Sequence, residues 1–199
     1  MNSLLKLSNL VDALNERIGR ATIWCILIAV LISAGNAVVR KAFNTSSNAF
    51  LEIQWYLFSA VFLICAGYTL LHNEHVRIDV ISGRLSGRAR AWIDVFGFVA
   101  FLLPMAAMMI WLALPWAMRS IESQEMSSNA GGLILWPVKL LMPIGFALLS
   151  LQGISELIKR IAFLRGVIPD PTEKHHVPSA EEMLIEELRK REEEEKNNA

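Results

Sequence analysis

The sequence is poor in the residues that do chemistry inside a protein. Its 199 residues hold two cysteines, Cys25 and Cys65, and four histidines, His72, His75, His175 and His176. The cysteines stand apart with no C-x-x-C pair, which excludes a quinone-linked dithiol oxidoreductase. Each lies in an apolar stretch and reads as a small apolar side chain at a helix-packing surface. No histidine falls within an apolar stretch, so a haem anchor would lack its paired axial ligands. His72-Asn73-Glu74-His75 also has the wrong spacing for a zinc-protease helix, which needs two histidines four apart. A Gly-rich phosphate loop, a nucleophile elbow and a carboxylate cluster are all missing. No cofactor and no catalytic, substrate-binding or metal-binding residue is expected. Charge balances at 19 basic against 19 acidic residues and by itself indicates no partner, nucleic acid included.

What the chain has in excess is apolar length. Residues 21–39, 50–71, 95–118 and 133–157 are four long runs with few charges. A helix rising about 1.5 Å per residue needs about 20 apolar residues to cross about 30 Å of hydrocarbon. Four all-round apolar helices would leave a soluble protein too little polar surface. The first run is too long for a signal-peptide core and its leader is mixed in charge, so it reads as a retained span. Lys6, Arg17, Arg20, Arg77, Arg84, Arg88, Arg90, Lys159, Arg160 and Arg165 lie on one side; Arg40, Lys41 and Arg119 lie on the other. Ten against three places both termini in the cytoplasm.

Two segments outside the spans are amphipathic. Leu4, Leu7, Val11, Leu14 and Ile18 recur at helical spacing, with Lys6, Asn9, Asp12, Asn15 and Arg17 opposite, which predicts a helix over 1–20 lying along the inner membrane surface or packed on a partner. In the connection 72–91, Ile78, Ile81, Leu85 and Trp92 share one face while Arg77, Arg84 and Arg88 share the other, where arginines meet lipid phosphates. The fold class is therefore an all-α membrane protein of four transmembrane helices, with N-terminal and inter-span amphipathic interfacial helices. The four-span domain covers 21–165. Residues 166–199 form a charged linker, punctuated by Pro169, Pro171 and Pro178, and a tail helix opened by the capping pair Ser179 and Glu182.

A few polar residues stand out against this background. Glu52 opens the second span, beside Gln54, Trp55 and Tyr56. It reads either as an interfacial carboxylate reaching water or as a contact to Arg40, Lys41 or another chain. Lys139 follows Trp136-Pro137 and either snorkels to the outer interface or faces an acid such as Glu52. Pro104 falls mid-span and predicts a kink. Asn44-Thr45-Ser46 matches a glycosylation sequon on the outer side, a weak motif outside a eukaryotic secretory pathway. The spans lack the mid-depth charges of a transporter core, so the chain reads as an accessory subunit. The rival readings are a membrane anchor or redox subunit of another complex, or a stand-alone four-helix channel.

Two motifs then carry a resemblance. Glu74-His75-Val76-Arg77-Ile78-Asp79-Val80 follows span two, with Leu85-Ser86 and Arg88-Ala89-Arg90 after it. Gly132-Leu133, Leu135-Trp136-Pro137-Val138-Lys139 and Pro143-Ile144-Gly145-Phe146 flank and enter span four. Together with Glu52, over about 8–165, they resemble the DctQ-like small membrane subunit of tripartite ATP-independent periplasmic (TRAP) transporters. The resemblance implies a bacterial inner-membrane system that takes up an organic anion, often a carboxylate. A periplasmic solute-binding protein captures the anion. A large membrane subunit moves it by a sodium-coupled elevator motion, and the small subunit enlarges the static scaffold. Glu52, Arg77, Asp79, Arg84, Arg88, Trp136 and Lys139 are then candidate contacts to the large subunit or lipid. Arg40, Lys41, Arg119, Glu122 and Glu125 are candidate contacts to the periplasmic protein.

Overall fold

The computed structural model describes residues 2–44, 47–73 and 85–170. Arg77, Asp79 and Arg84, the sequon positions Thr45 and Ser46, and the tail helix expected after Ser179 lie outside the described residues. The chain divides into two units, Met1–Pro169 and Asp170–Ala199, and the description concerns the first.

Helix α1 runs without a break over Asn2–Phe43. Its 42 residues reach about 63 Å at 1.5 Å each, twice the hydrocarbon thickness. The amphipathic segment and the first span are therefore one helix, not two. A second correction concerns its faces. Leu4, Leu7, Leu10 and Leu14 are exposed, while Ser8, Asn15, Gly19, Thr22 and Ala29 are buried. Of the polar side expected to meet water, Lys6, Asn9 and Arg17 are exposed while Asn15 is buried and Asp12 half-buried, so the packing seam runs along the border between the two expected faces. Ser8, Asn15, Thr22 and Ala29 recur every seven residues, a seam of small and polar side chains along which membrane helices approach closely.

The remaining helices are α2 (Asn48–Leu71), α3 (Gly87–Gly97), α4 (Leu103–Glu122) and α5 (Trp136–Leu164). Ser86 caps α3 by accepting the Ala89 N–H at 3.3 Å. One π-helical turn, Phe98–Leu102, joins α3 to α4, so Gly87–Glu122 is one continuous span. The π turn answers the kink expected at Pro104. Proline has no N–H to give the carbonyl four residues back, and its ring crowds that carbonyl. Widening the preceding turn, with Leu103 N–H bonded to Phe98 O, relieves both. A left-handed residue follows four of the helices: Asn44, Asn73, Gln124 and Gly166.

The four spans stand in an open row. α1 packs on α2, α2 on α5, and α5 on α4; α1 also crosses the inner half of α5, which α3 touches as well. α4 has no comparable contact with α1 or α2, so among the described residues no central pore is enclosed. α5 touches every other helix and holds more buried positions than any of them. Two glycines let its neighbours close in. A Cβ on Gly145 would lie 2.6 Å from the Leu63 carbonyl oxygen of α2, and one on Gly153 would lie 2.6 Å from the Leu102 side chain of the π turn.

Candidate functional site

Polar side chains gather at the two ends of this row. At the outer end, the one that the basic residues assign to the outside, Asn48, Glu52 and Tyr56 follow at four-residue spacing and so share one stripe of α2. All three fasten the loop 123–135. Asn48 Nδ2 donates to Ala130 O at 3.0 Å. Tyr56 Oη donates to Ile134 O at 2.6 Å. Between them Glu52 is only 2% exposed. Its carboxylate accepts from Leu133 N–H at 2.5 Å, Asn129 Nδ2 at 2.9 Å and Ser127 Oγ. A buried carboxylate needs such donors when no cation is at hand. Gly131 supplies a φ of +70°, and a Cβ on Gly132 would sit 2.5 Å from Ser127 Cβ and 2.9 Å from Glu52 Oε1. The Gly-Gly pair is thus required by the clasp. Among the described residues Glu52 meets neither Arg40 nor Lys41, and at 2% exposed it does not reach water freely, so the interfacial carboxylate and the pairing with those two residues are corrected.

Lys139, one turn into α5, is 9% exposed. It does face an acid, but the acid is Glu125 of the outer loop, not Glu52. Its ammonium also lies 4.4 Å from the centroid of the Trp116 ring, an attraction between cation and π-face. The hydrogen bond from Lys139 holds the Glu125 carboxyl below its ordinary range, with the Ser120 hydroxyl adding to the effect. Trp116, Arg119, Glu122, Glu125 and Lys139 border one cleft of about 620 Å³ open at the outer end. Three expected partner contacts, Arg119, Glu122 and Glu125, are brought together there. Arg40 and Lys41 are exposed in the last turn of α1, outside that cleft. Trp136 is half-buried as the first residue of α5, and Arg88 is exposed on α3.

The inner end carries a network that the sequence reading missed. The Ser8 and Ser155 hydroxyls are 2.6 Å apart. Asn15 Nδ2 donates to Gln152 Oε1 at 2.9 Å. The Asp12 carboxylate accepts from Gln152 Nε2 at 2.9 Å and Ser155 Oγ at 2.8 Å, and pairs with Lys159 at 2.7 Å. Lys159 also pairs with Glu156 at 2.6 Å. Arg160 Nε meets Asp94 of α3 at 2.9 Å. Lys159 and Arg160, counted from sequence as charges beyond span four, are therefore members of α5, the first half-buried and the second buried. A step of seven from Ser8 to Asn15 along α1 is matched by a step of three from Ser155 back to Gln152 along α5, so the two helices run in opposite directions where they meet. At the same end Glu16 pairs with His72 at 2.6 Å and with Arg20 at 2.6 Å. The seven-residue repeat in α1 was the available signal for this seam.

Most of these groups are spent on one another, and what they do is hold helices in place. Among the described residues no three His, Cys, Asp or Glu side chains converge as a metal site requires. A family model described as the DctQ component of tripartite ATP-independent periplasmic transporters matches residues 29–163, more than half of the chain. The match leaves out the part of α1 that bears Ser8, Asp12 and Asn15, while their partners on α5 lie inside it. No curated protein and no solved structure gives a match.

Proposed function

The chain belongs to the DctQ family, the small permease component of TRAP transporters, and from that premise we propose that it is the fixed brace of such a carrier and not its solute path. One observation supports this most: the spans form an open row whose buried polar side chains mostly bond between elements, and among the described residues they enclose no central pore. A row of this kind offers a broad lateral face to a larger membrane partner. It works as a counterpart for a moving domain because it is itself cross-linked at both ends.

In this reading the protein sits in a bacterial inner membrane with both termini in the cytoplasm, the orientation favoured by the basic residues. The large subunit translocates an organic anion, a carboxylate in the simplest case, coupled to sodium. The outer cleft with Arg119, Glu122 and Glu125, together with Arg40 and Lys41, receives the periplasmic solute-binding protein. The arginines of the inner connection meet lipid or the large subunit. Co-purification tests the brace. The chain should elute with a much larger hydrophobic subunit, and reconstituted by itself it should give no solute flux. Arg77→Ala combined with Asp79→Ala should lower complex yield or uptake and leave solute preference unchanged. Flux from the isolated chain, or a changed preference in the double variant, would refute the reading.

A further inference from the structure

An apolar groove of about 620 Å³ runs along the third span beside the end of α2. Leu70 of α2 and Phe98 are its buried lining residues, and Asp94, Gly97, Phe101 and Met105 line it along the third span. These four recur at three- and four-residue spacing, so they make one stripe. From Asp94 to Met105 that stripe covers about 16 Å, half of a hydrocarbon core about 30 Å thick. The groove therefore reaches from headgroup level to mid-depth, the length of one acyl chain in one leaflet. Gly97 keeps it open: a Cβ there would meet nothing within 4 Å.

Beside Asp94, at the polar end of the groove, two arginines that do not themselves line it carry unused donors. Arg160 is 4% exposed, and its Nη1 is buried with no partner. Arg90 lies one turn before Asp94 on the same stripe, and its Nε is likewise buried without a partner. The acids nearby are already engaged. Asp94 accepts from Arg160 Nε at 2.9 Å, and Glu156 pairs with Lys159 at 2.6 Å, leaving Arg160 Nη2 at 3.7 Å. Buried guanidinium donors without acceptors are costly, and phosphate oxygens match their geometry.

We propose that the groove seats one acyl chain of an anionic phospholipid, whose phosphate is held by Arg90 and Arg160. In the orientation given above the lipid comes from the cytoplasmic leaflet, where anionic headgroups and basic side chains meet. The site does not depend on which carrier the chain braces, so its failure would leave the family reading untouched.

Native mass spectrometry of the full chain, alone and with its large partner, decides the matter, with phosphatidylglycerol and phosphatidylcholine as probes. The wild-type chain should retain one phosphatidylglycerol about tenfold more strongly than phosphatidylcholine, the discrimination expected of one or two charge-assisted hydrogen bonds. Gly97→Phe puts a ring where the backbone has free space and should abolish retention of both lipids. Arg90→Gln should remove the preference for phosphatidylglycerol and keep retention of lipid as such. The proposal is overturned by a Gly97→Phe chain that binds like wild type, or by an Arg90→Gln chain with its preference intact. It is overturned equally if inorganic phosphate displaces the lipid, which would mark a free-anion site. A complex that holds no lipid there would also overturn it, because the groove would then be filled by the partner protein.

Discussion

Glu52 shows how much a single residue can announce and still withhold. A carboxylate at the head of an apolar span is conspicuous because it must be paired, hydrated or neutral. Its partners were not legible, since Ser127, Asn129 and Leu133 stand 75 to 81 positions away in the sequence. The stripe Asn48, Glu52, Tyr56 was in plain view, and only the loop it grips was hidden. Glu52→Ala strands three donors at once. It should raise protease cleavage within 123–135 on the order of tenfold, whereas Glu52→Gln, which keeps one acceptor, should show a smaller rise; equal rates for all three chains would dismiss the clasp. Lys139 was equally visible, and its acid was misassigned because Glu125 reaches it through the loop and not across the row. The Glu125 carboxyl lies below its ordinary value of 4.5 in the folded protein. A depressed carboxylate contributes stability that is complete above its unfolded value and lost as pH falls through the folded one. Glu125→Gln should therefore melt earlier than wild type near neutrality, and the gap should close as pH falls below about 4.5. A gap of constant width across that range would mean the ion pair adds nothing.

Among the elements, α1 is where pattern reading went astray and where the correction is most instructive. In water the leucine face of an amphipathic helix packs and the polar face is solvated. In lipid the solvent is itself apolar, so leucines gain nothing by leaving it, and small or hydrogen-bonding side chains do the packing. Ser8, Asn15, Thr22 and Ala29 obey the second rule. The π turn follows the same logic of local necessity, since Pro104 demands room and the helix widens to give it. Close approach at α5 yields a clean comparison. Gly145→Ala drives a methyl to 2.6 Å from a main-chain oxygen, which rotamers cannot relieve, and should destabilise the protein by about 1–3 kcal/mol. Gly35→Ala on α1 meets nothing within 4 Å and should be neutral or stabilising by up to about 1 kcal/mol through helix propensity. Equal melting temperatures for the two variants would contradict the packing of α2 on α5.

For the whole molecule the governing fact is the open row. Four spans place the loop after α4 and the end of α5 on opposite sides of the membrane. With a cysteine-free background, Gln124→Cys should react with a membrane-impermeant maleimide applied outside intact cells, and Asp170→Cys only after lysis. The reverse pattern would invert the orientation and move the Glu125–Lys139 cleft away from the periplasm. The row also explains why so few residues are buried in a chain so apolar. The end helices of the row leave most of their surface to lipid, and only α2 and α5 have a packed neighbour on both sides.

Sequence alone determined that four helices cross a membrane, because spanning length and the absence of mid-depth charge are properties of consecutive residues. It also carried the family resemblance in two short motifs on either side of span three. Tertiary structure decided which face of α1 packs, which acid Lys139 meets, what Glu52 holds and whether the spans enclose anything. Those outcomes depend on pairs of groups far apart along the chain, and in an apolar solvent hydrophobicity no longer distinguishes inside from outside.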